Sequence, residues 1–430
     1  MFIRCLYSIL MFIISPLFLY SLYKSKSKSN KPKFGKRWQE HFGFTPALNN
    51  STSSPIWIHA VSVGEVLAVT PLIKKLKIES PEQNIILTTT TSTGATEADK
   101  LGILVEHRYM PLDFSFAIKG FLKIVQPKAL FIMETELWPN TLHCCQRANI
   151  PITVINARLS QRSAQRYKKF PFIFNLLLKN INHVLAQTEQ DAQRFIDLGM
   201  PTKQVSVTGS IKFDISVTQQ QIEQANQLKS SIELGREIWI AASTHKGEDE
   251  QIIAAHKQLL INKPKALLIL VPRHPERFLA VKTVAEKSNL NVVTRSSQLP
   301  IQAETQLYLG DSMGEMMMLL GASDICFIAG SLIGDKVGGH NLLEAAALKK
   351  PILNGPSYFN FKEITEELIK LEACTICQNS DEICATLLLL FNNPRQRQDK
   401  GQAAFDFVQK NQGALQKTAQ AMKNRYKIAN

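Results

Sequence analysis

The stretch WIHAVSVGEVLAVTPLI (Trp57–Ile73) runs a short hydrophobic strand pattern into Ser62, Gly64 and Glu65 at the start of a helical one. A carboxylate at a helix N-terminus complements the macrodipole, which stabilises by about 0.3–1 kcal/mol. In a cleft the same Glu65 can serve as general base for a hydroxyl nucleophile, and the local sequence admits both roles. A second apolar run, ALFIMETELWPN, ends in Glu134 and Glu136, with Trp138 and Pro139 following. Two carboxylates at i, i+2 on an extended chain point to one side, and at a buried strand end each needs a partner or a shifted pKa. Arg158 of NARLS and Lys212 of GSIKFD, each just past an expected strand, are the cations available to pair with them.

The C-terminal half repeats one arrangement four times, in STHKGEDE (Ser243–Glu250), VPRHPERF (Val271–Phe278), GDSMGEM (Gly310–Met316) and GGHNLLEAAALKKP (Gly338–Pro351). Each is a loop that opens a helix. Free backbone amides there, with Arg273 beside them, make a phosphate site, and Glu344, one turn beyond His340, suits ribose hydroxyls. Singly, each loop reads equally well as a capping box or glycine turn; four in one half argue for a shared anion site. The chain lacks G-x-x-x-x-G-K-[ST], a strand-associated G-x-G-x-x-G, H-E-x-x-H and G-x-S-x-G, which disfavours an ATPase, an ordinary dinucleotide enzyme, a zinc protease and a serine hydrolase. No Asp-x-Asp occurs, so no metal is expected and the phosphate should be neutralised by Arg, Lys and helix termini. Cys374 and Cys377 form a lone C-x-x-C without further zinc ligands nearby, and read as buried thiols.

The elements that must carry these residues alternate. Short β-branched runs, small polar loops and amphipathic stretches give a βα pattern. Ile56–Ala60, Ile85–Thr89, Ala129–Met133, Ile152–Ile155, His183–Ala186 and Val205–Thr208 read as buried parallel strands of a first series. Ile238–Ala242, Ala266–Val271, Asn291–Thr294, Ile325–Ala329 and Pro351–Asn354 form a second. The reading is two Rossmann-like α/β domains facing a central cleft, with sites past the carboxyl ends of the strands. The expected organisation is a membrane anchor over 1–23, a first Rossmann-like domain over 24–215, a polar Gln-rich linker over 216–236, and a second Rossmann-like domain with a C-terminal helix over 237–430.

Composition agrees with this. A chain of 430 residues with 45% apolar and 8% aromatic residues is globular and long enough for two or three cores. A mean hydropathy of −0.07 excludes a polytopic transporter. The net charge of +14 is lopsided, with 25 basic against 13 acidic residues in 1–210 but 25 against 23 in 211–430. Such a basic half meets nucleic acid or anionic lipid, and the amino terminus favours lipid. Residues Cys5–Tyr23 carry no charge over 19 positions, and KSKSKSNKPKFGKR follows where a signal peptide would show a cleavage site. Seven basic residues from Lys24 to Arg37, against Arg4 alone before the segment, place the body on the cytoplasmic side. A second basic-apolar stretch, Gln161–Leu178, sets Arg162, Arg166, Lys168 and Lys169 before Phe170, Phe172 and Phe174; it suits a membrane interface, or a core helix with a solvated end.

In this order, HAVSVGE, METELWPN, NARLS, GSIKFD, VPRHPERF, GDSMGEM and GHNLLEAAALKKP closely resemble the bacterial 3-deoxy-D-manno-octulosonic acid (Kdo) transferases over nearly the whole chain. The resemblance implies a GT-B glycosyltransferase that works without metal or other cofactor at the inner membrane, with CMP-Kdo as donor, the lipid A precursor as acceptor and no nucleic acid as partner. It implies Glu65 as the base that deprotonates the acceptor hydroxyl, and Glu134 and Lys212 as groups that stabilise the transition state. Pro272 and Arg273, then Met313, Gly314 and Glu315, then Asn341, Leu342, Leu343 and Glu344 would bind CMP. Two rivals remain from the residues alone: a GT-B enzyme using UDP, and a membrane-anchored scaffold without catalysis.

Overall fold

The computed structural model describes residues 2–23, 34–50, 53–232 and 235–426. Among these residues fourteen strands form two sheets of seven, and every pairing between them is parallel. The first holds β1 (Ile56–His59), β2 (Ile85–Thr89), β3 (Glu106–Tyr109), β4 (Ala129–Met133), β5 (Ile152–Ala157), β6 (His183–Ala186) and β7 (Val205–Val207) in the order β3-β2-β1-β4-β5-β6-β7. The second holds β8 (Ile238–Thr244), β9 (Leu267–Pro272), β10 (Val292–Thr294), β11 (Leu307–Leu309), β12 (Ile325–Ile328), β13 (Ile352–Asn354) and β14 (Cys374–Ile376) in the order β10-β11-β9-β8-β12-β13-β14. Strand order reverses beside β1 and β8, and in such sheets the crevice past the carboxyl ends at the reversal is where ligands bind.

The central strands are continuous apolar runs because both faces are covered by helices. In the first unit Ile56, Trp57 and Ile58 of β1 are fully buried, and helix α2 (Val63–Glu79) packs Val66, Val69, Leu72, Ile73 and Leu76 on one side. Trp57 faces the other side against Phe121 and donates its indole N–H to Thr88 Oγ1 at 2.8 Å. Burying a side chain of this size stabilises by roughly 1.5–3 kcal/mol, provided its polar atom keeps a partner.

Domain boundaries differ from those expected. One compact unit comprises Met1–Asp214 with Gln412–Asn430, and the other Ile215–Asn411. The C-terminal helix Ala414–Tyr426 therefore belongs to the first unit, where Ala414, Ala419 and Met422 join the core beneath α2. Its tyrosine Tyr426 bonds Thr153 Oγ1 and meets Phe131 edge-on. The stretch expected as a linker folds as a helix, Gln219–Ser230, in the second unit. Thr218 and Gln221 close a capping box at its start, and Ala225 packs on Gly321. Glutamine is a good helix former, so a polar Gln-rich run did not mean an open chain.

The stretch expected as an anchor is a helix, α1 (Phe2–Tyr23). Among the described residues no helix is long and apolar enough to cross a membrane. The basic segment 24–33 lies outside the described residues. Cys144, Cys145, Cys326, Cys374, Cys377 and Cys384 are all free and buried, and burial pushes the thiols of Cys374 and Cys377 up to about 12 and about 11.

Candidate functional site

In the first unit the chain leaves β1 through Val61 and Ser62 and enters α2, so Glu65 sits in the first turn, beside the strand-order reversal. Glu65 turns back on its own helix start. The Val61 N–H donates to Oε2 at 2.9 Å and the Ser62 hydroxyl to Oε1 at 3.3 Å. Burial, opposed by the Val61 bond and reinforced by the charges of Glu134 and Glu136, pushes its carboxyl up to about 7. A carboxyl with that value exchanges a proton near neutrality, which an ordinary glutamate does not.

β4, the neighbour of β1, delivers the other carboxylates. The strand ends at Met133 and turns at once, with Glu134 at φ +57° and its N–H donating to Ile155 O at 3.0 Å. A non-glycine residue in the left-handed region is strained by about 1–3 kcal/mol, and such strain collects at functional positions. The extended-chain geometry expected to align Glu134 and Glu136 is thus absent; a turn places them instead. Burial, then the charge of Glu134, raises Glu136 above the ordinary carboxylate range.

Lys212 lies in a 3-10 turn, Ile211–Phe213, and its Nζ is 3.5 Å from Glu134 Oε1. Lys212, one of the two candidate cations, thus pairs with Glu134. Both side chains keep about a third of their surface, at 35% and 31%, so the pair remains open to a ligand. Asn156 positions it. It is wholly buried at φ +51°, where β5 loses register against β6, and its Oδ1 accepts the Ile211 N–H at 3.1 Å. No pattern in the sequence marks this role, because the partner lies 55 residues away.

In the second unit all four polar clusters fall past strand ends or at helix starts, as expected. Pro272 ends β9 and is buried, whereas Arg273 is exposed and donates its backbone N–H to Thr244 O at 3.0 Å. Asn341 and Leu342 lead into the short helix Leu343–Ala347, whose first turn carries Glu344. Burial raises the Glu344 carboxyl, while the charge of Arg273 and a bond from Asn341 oppose the rise. Gly338 and Gly339, at φ +78° and +82°, shape the approach; a Cβ on Gly338 would sit 2.4 Å from the Phe359 ring. Met313 is exposed, Gly314 takes φ +83°, and Glu315 is gripped by Arg295 through two bonds of 3.0 and 2.8 Å, which hold its carboxyl below the usual range. With its carboxylate engaged by Arg295 and Ser312, Glu315 keeps mainly its backbone for a ligand.

Two features here had no sequence signal. Glu248 is fully buried, and its carboxylate accepts four backbone N–H bonds, from His245 (2.9 Å), Gly330 (2.7 Å), Ser331 (2.9 Å) and Leu332 (2.9 Å). It ties the loop after β8 to the loop after β12. His245 and His340 meet Nε2 to Nε2 at 2.9 Å, with His274 edge-on to His245 at 5.3 Å. Burial first, then the neighbouring imidazoles and arginines, lowers His245 to about 4 and His340 to about 3, so both rings are neutral at pH 7 and share one N–H between them. Among the described residues no group of three or more His, Cys, Asp or Glu is placed to hold a metal ion.

The family model of the 3-deoxy-D-manno-octulosonic-acid transferase (kdotransferase) matches residues 36–215. The 3-deoxy-D-manno-octulosonic acid transferase of Haemophilus influenzae is 39% identical over 422 residues, 98% of each chain. The C-terminal CMP-Kdo binding domain of an Acinetobacter baumannii protein is 37% identical over 45% of this chain and 100% of its own, with a TM-score of 0.43. A UDP-GlcNAc 2-epimerase of Neisseria meningitidis superposes with a TM-score of 0.52 at 13% identity, over 86% of this chain and 100% of its own, and that likeness bears on the fold, GT-B, alone. With a relative this similar from end to end, and with the family's motifs gathered at the carboxyl ends of both sheets, the chain belongs to the 3-deoxy-D-manno-octulosonic acid transferase family and is a glycosyltransferase.

Proposed function

We propose that this enzyme moves Kdo from CMP-Kdo to the tetra-acylated, bis-phosphorylated disaccharide precursor of lipid A, with inversion and without a metal, at the cytoplasmic face of the inner membrane, as a step of lipopolysaccharide biosynthesis. The observation that carries the reading is Glu65, a carboxyl held at about 7 beside a half-buried Lys–Glu pair. The acceptor's primary hydroxyl oxygen bonds to the anomeric carbon of Kdo and gives its proton to Glu65. The bond from that carbon to the phosphate oxygen breaks, and CMP leaves with the electron pair. Phosphate is a good leaving group, so electrostatic help from Arg273 and loop amides replaces a strong general acid. Glu134 and Lys212 stabilise the charge that develops at the sugar. The excess of basic residues in 1–210 suits an acceptor with two phosphates.

The test is a mass-spectrometric assay of detergent-purified protein with freshly generated CMP-Kdo and the tetra-acylated precursor, in which the mass gain identifies and counts the sugar added. No gain, with CMP still bound, would remove the acceptor or the catalysis from the reading. The donor is checked separately. At a hundred times its dissociation constant CMP should add about 2.7 kcal/mol of stability and raise the melting temperature, whereas UDP should not. A shift with UDP alone would favour a UDP-sugar enzyme. Arg273→Ala should weaken CMP binding several-fold by calorimetry with the fold intact, and an unchanged Kd would take Arg273 out of the donor site.

A further inference from the structure

We infer that α1 lies along the membrane surface, clamped to the first unit by its polar side, and gives its apolar side to anionic lipid without crossing the bilayer. The inference rests on the membrane placement proposed above and not on the transfer chemistry.

Among the described side chains of α1 the half-buried ones are Arg4, Tyr7, Ser8, Met11 and Ser15, spaced at three, one, three and four residues, which is one stripe of a helix. It is the polar stripe. Leu6, Ile9, Leu10, Ile13 and Leu17 face outward with 52–72% of their surface exposed. A surface helix in water does the reverse and buries its apolar side. What meets the polar stripe is a built seat. The Tyr7 hydroxyl bonds Asp113, a carboxylate only 3% exposed that also accepts the backbone N–H of Asn140 at 2.9 Å and of Thr141 at 2.7 Å. Asn140 Nδ2 donates to Ser8 Oγ at 3.1 Å. Met11 packs on Leu112, Phe114 and Ala117, and Phe12 meets Phe114 edge-on at 6.5 Å.

That seat is incompatible with a crossing helix. A span needs about 20 residues, so positions 7 to 15 of α1 would lie within the hydrocarbon. Asp113, Asn140 and Thr141 would have to follow them there, with exposed Lys119 and Arg147 nearby on the same unit. Charged groups at that depth are costly and rare, and those that occur there face a protein interior or water. A helix lying in the interface plane satisfies both the polar seat and the apolar outer side. Cations stand near both of its ends: seven from Lys24 to Arg37 after it, and Arg4 in its own first turn, close enough to His143 to join burial, Arg147 and Lys119 in lowering that ring. Basic groups next to an anionic leaflet are drawn to its surface potential.

The experiment uses the full chain in native membranes. A Phe2→Cys, Cys5→Ser variant is treated with a membrane-impermeant maleimide in spheroplasts and in inverted vesicles, and a photoreactive benzoylphenylalanine is placed at Phe12 or at Leu17 in separate proteins. Expected are labelling in inverted vesicles alone, capture of the peptide containing Phe114 by the probe at 12, and capture of phospholipid by the probe at 17. Labelling from spheroplasts, or a probe at 12 that captures lipid and never that peptide, overturns the inference. Kdo transfer measured on the same membranes reports folding. Its loss with the expected labelling pattern would count against the transfer reading and leave the placement of α1 standing.

Discussion

Glu65→Ala should lower Kdo transfer by about 10²–10⁴-fold, the range typical for loss of a general base, while calorimetry finds CMP binding unchanged. Loss of CMP binding, or retained turnover, would refute the assignment. The raised carboxyl adds a pH signature. Only the deprotonated form accepts a proton, so transfer should climb as pH passes through about 7 and level off above it. Glu65→Gln should flatten that rise. The same shift has a stability consequence of fixed sign. Folding raises this carboxyl above its ordinary value of 4.5, so the fold binds a proton more tightly than the unfolded chain does. The cost of holding Glu65 is absent below about 4.5, grows as pH rises toward about 7, and is complete above it. Glu65→Gln should therefore raise the melting temperature at pH 8 more than at pH 4.5. Equal shifts at both pH values would show that burial of the charge is not what moves the carboxyl.

Glu248→Ala should be the most damaging substitution in the second unit. It removes a fully buried acceptor from four amides, those of Gly330 and Ser331 on buried residues and those of His245 and Leu332 on half-buried ones. At about 1–3 kcal/mol for each buried group left unpaired, even partial rescue by water leaves a loss of roughly 4 kcal/mol, a large part of a domain's whole stability. Glu248→Gln should help little. Oε2 takes two of the N–H groups and Oε1 the other two, so the new NH₂ must face two donors whichever way it turns. Urea unfolding of both variants, with CMP affinity measured in parallel, checks this. A loss under about 1 kcal/mol for either would mean that water or a shifted loop satisfies these amides.

What the sequence revealed of the fold follows burial. β1, β2, β4, β6 and β8 were legible because covered strands of a parallel sheet must be apolar throughout, and β-branched residues fill them. β3 was missed because Glu106, His107 and Arg108 look like a solvated loop. In the fold Arg108 pairs with Glu106, Arg37 reaches His107 O, and Glu40 accepts the Tyr109 N–H, so a polar strand is paid for by partners about 70 positions away. β11 and β14, three residues each, were also left out of the expected strands, although β7, β10 and β13, equally short, were among them. At the candidate site the motif-bearing residues were readable, since Glu65, Glu134, Lys212, Arg273 and Glu344 are polar groups at the ends of apolar runs. Their supports were not. Asn156, Glu248 and Arg295 act on residues far along the chain, and only the folded backbone brings them together.

Asp214 accepts the N–H groups of Gly413 at 2.7 Å and Leu415 at 2.6 Å, and from there the C-terminal helix runs onto the core beneath α2. The chain emerges from the ribosome in sequence order, and domains generally fold as they emerge. Here the unit that starts first finishes last: all of Ile215–Asn411 is made before the helix that completes Met1–Asp214 appears. During that interval the part of the first core that Ala414, Ala419 and Met422 cover, beside α2 and its Glu65, waits open, and a nascent chain stalled there would be a client for chaperones. A ribosome that stops short of residue 412 would release a chain whose lesion lies in its earliest-made unit, far in sequence from the break.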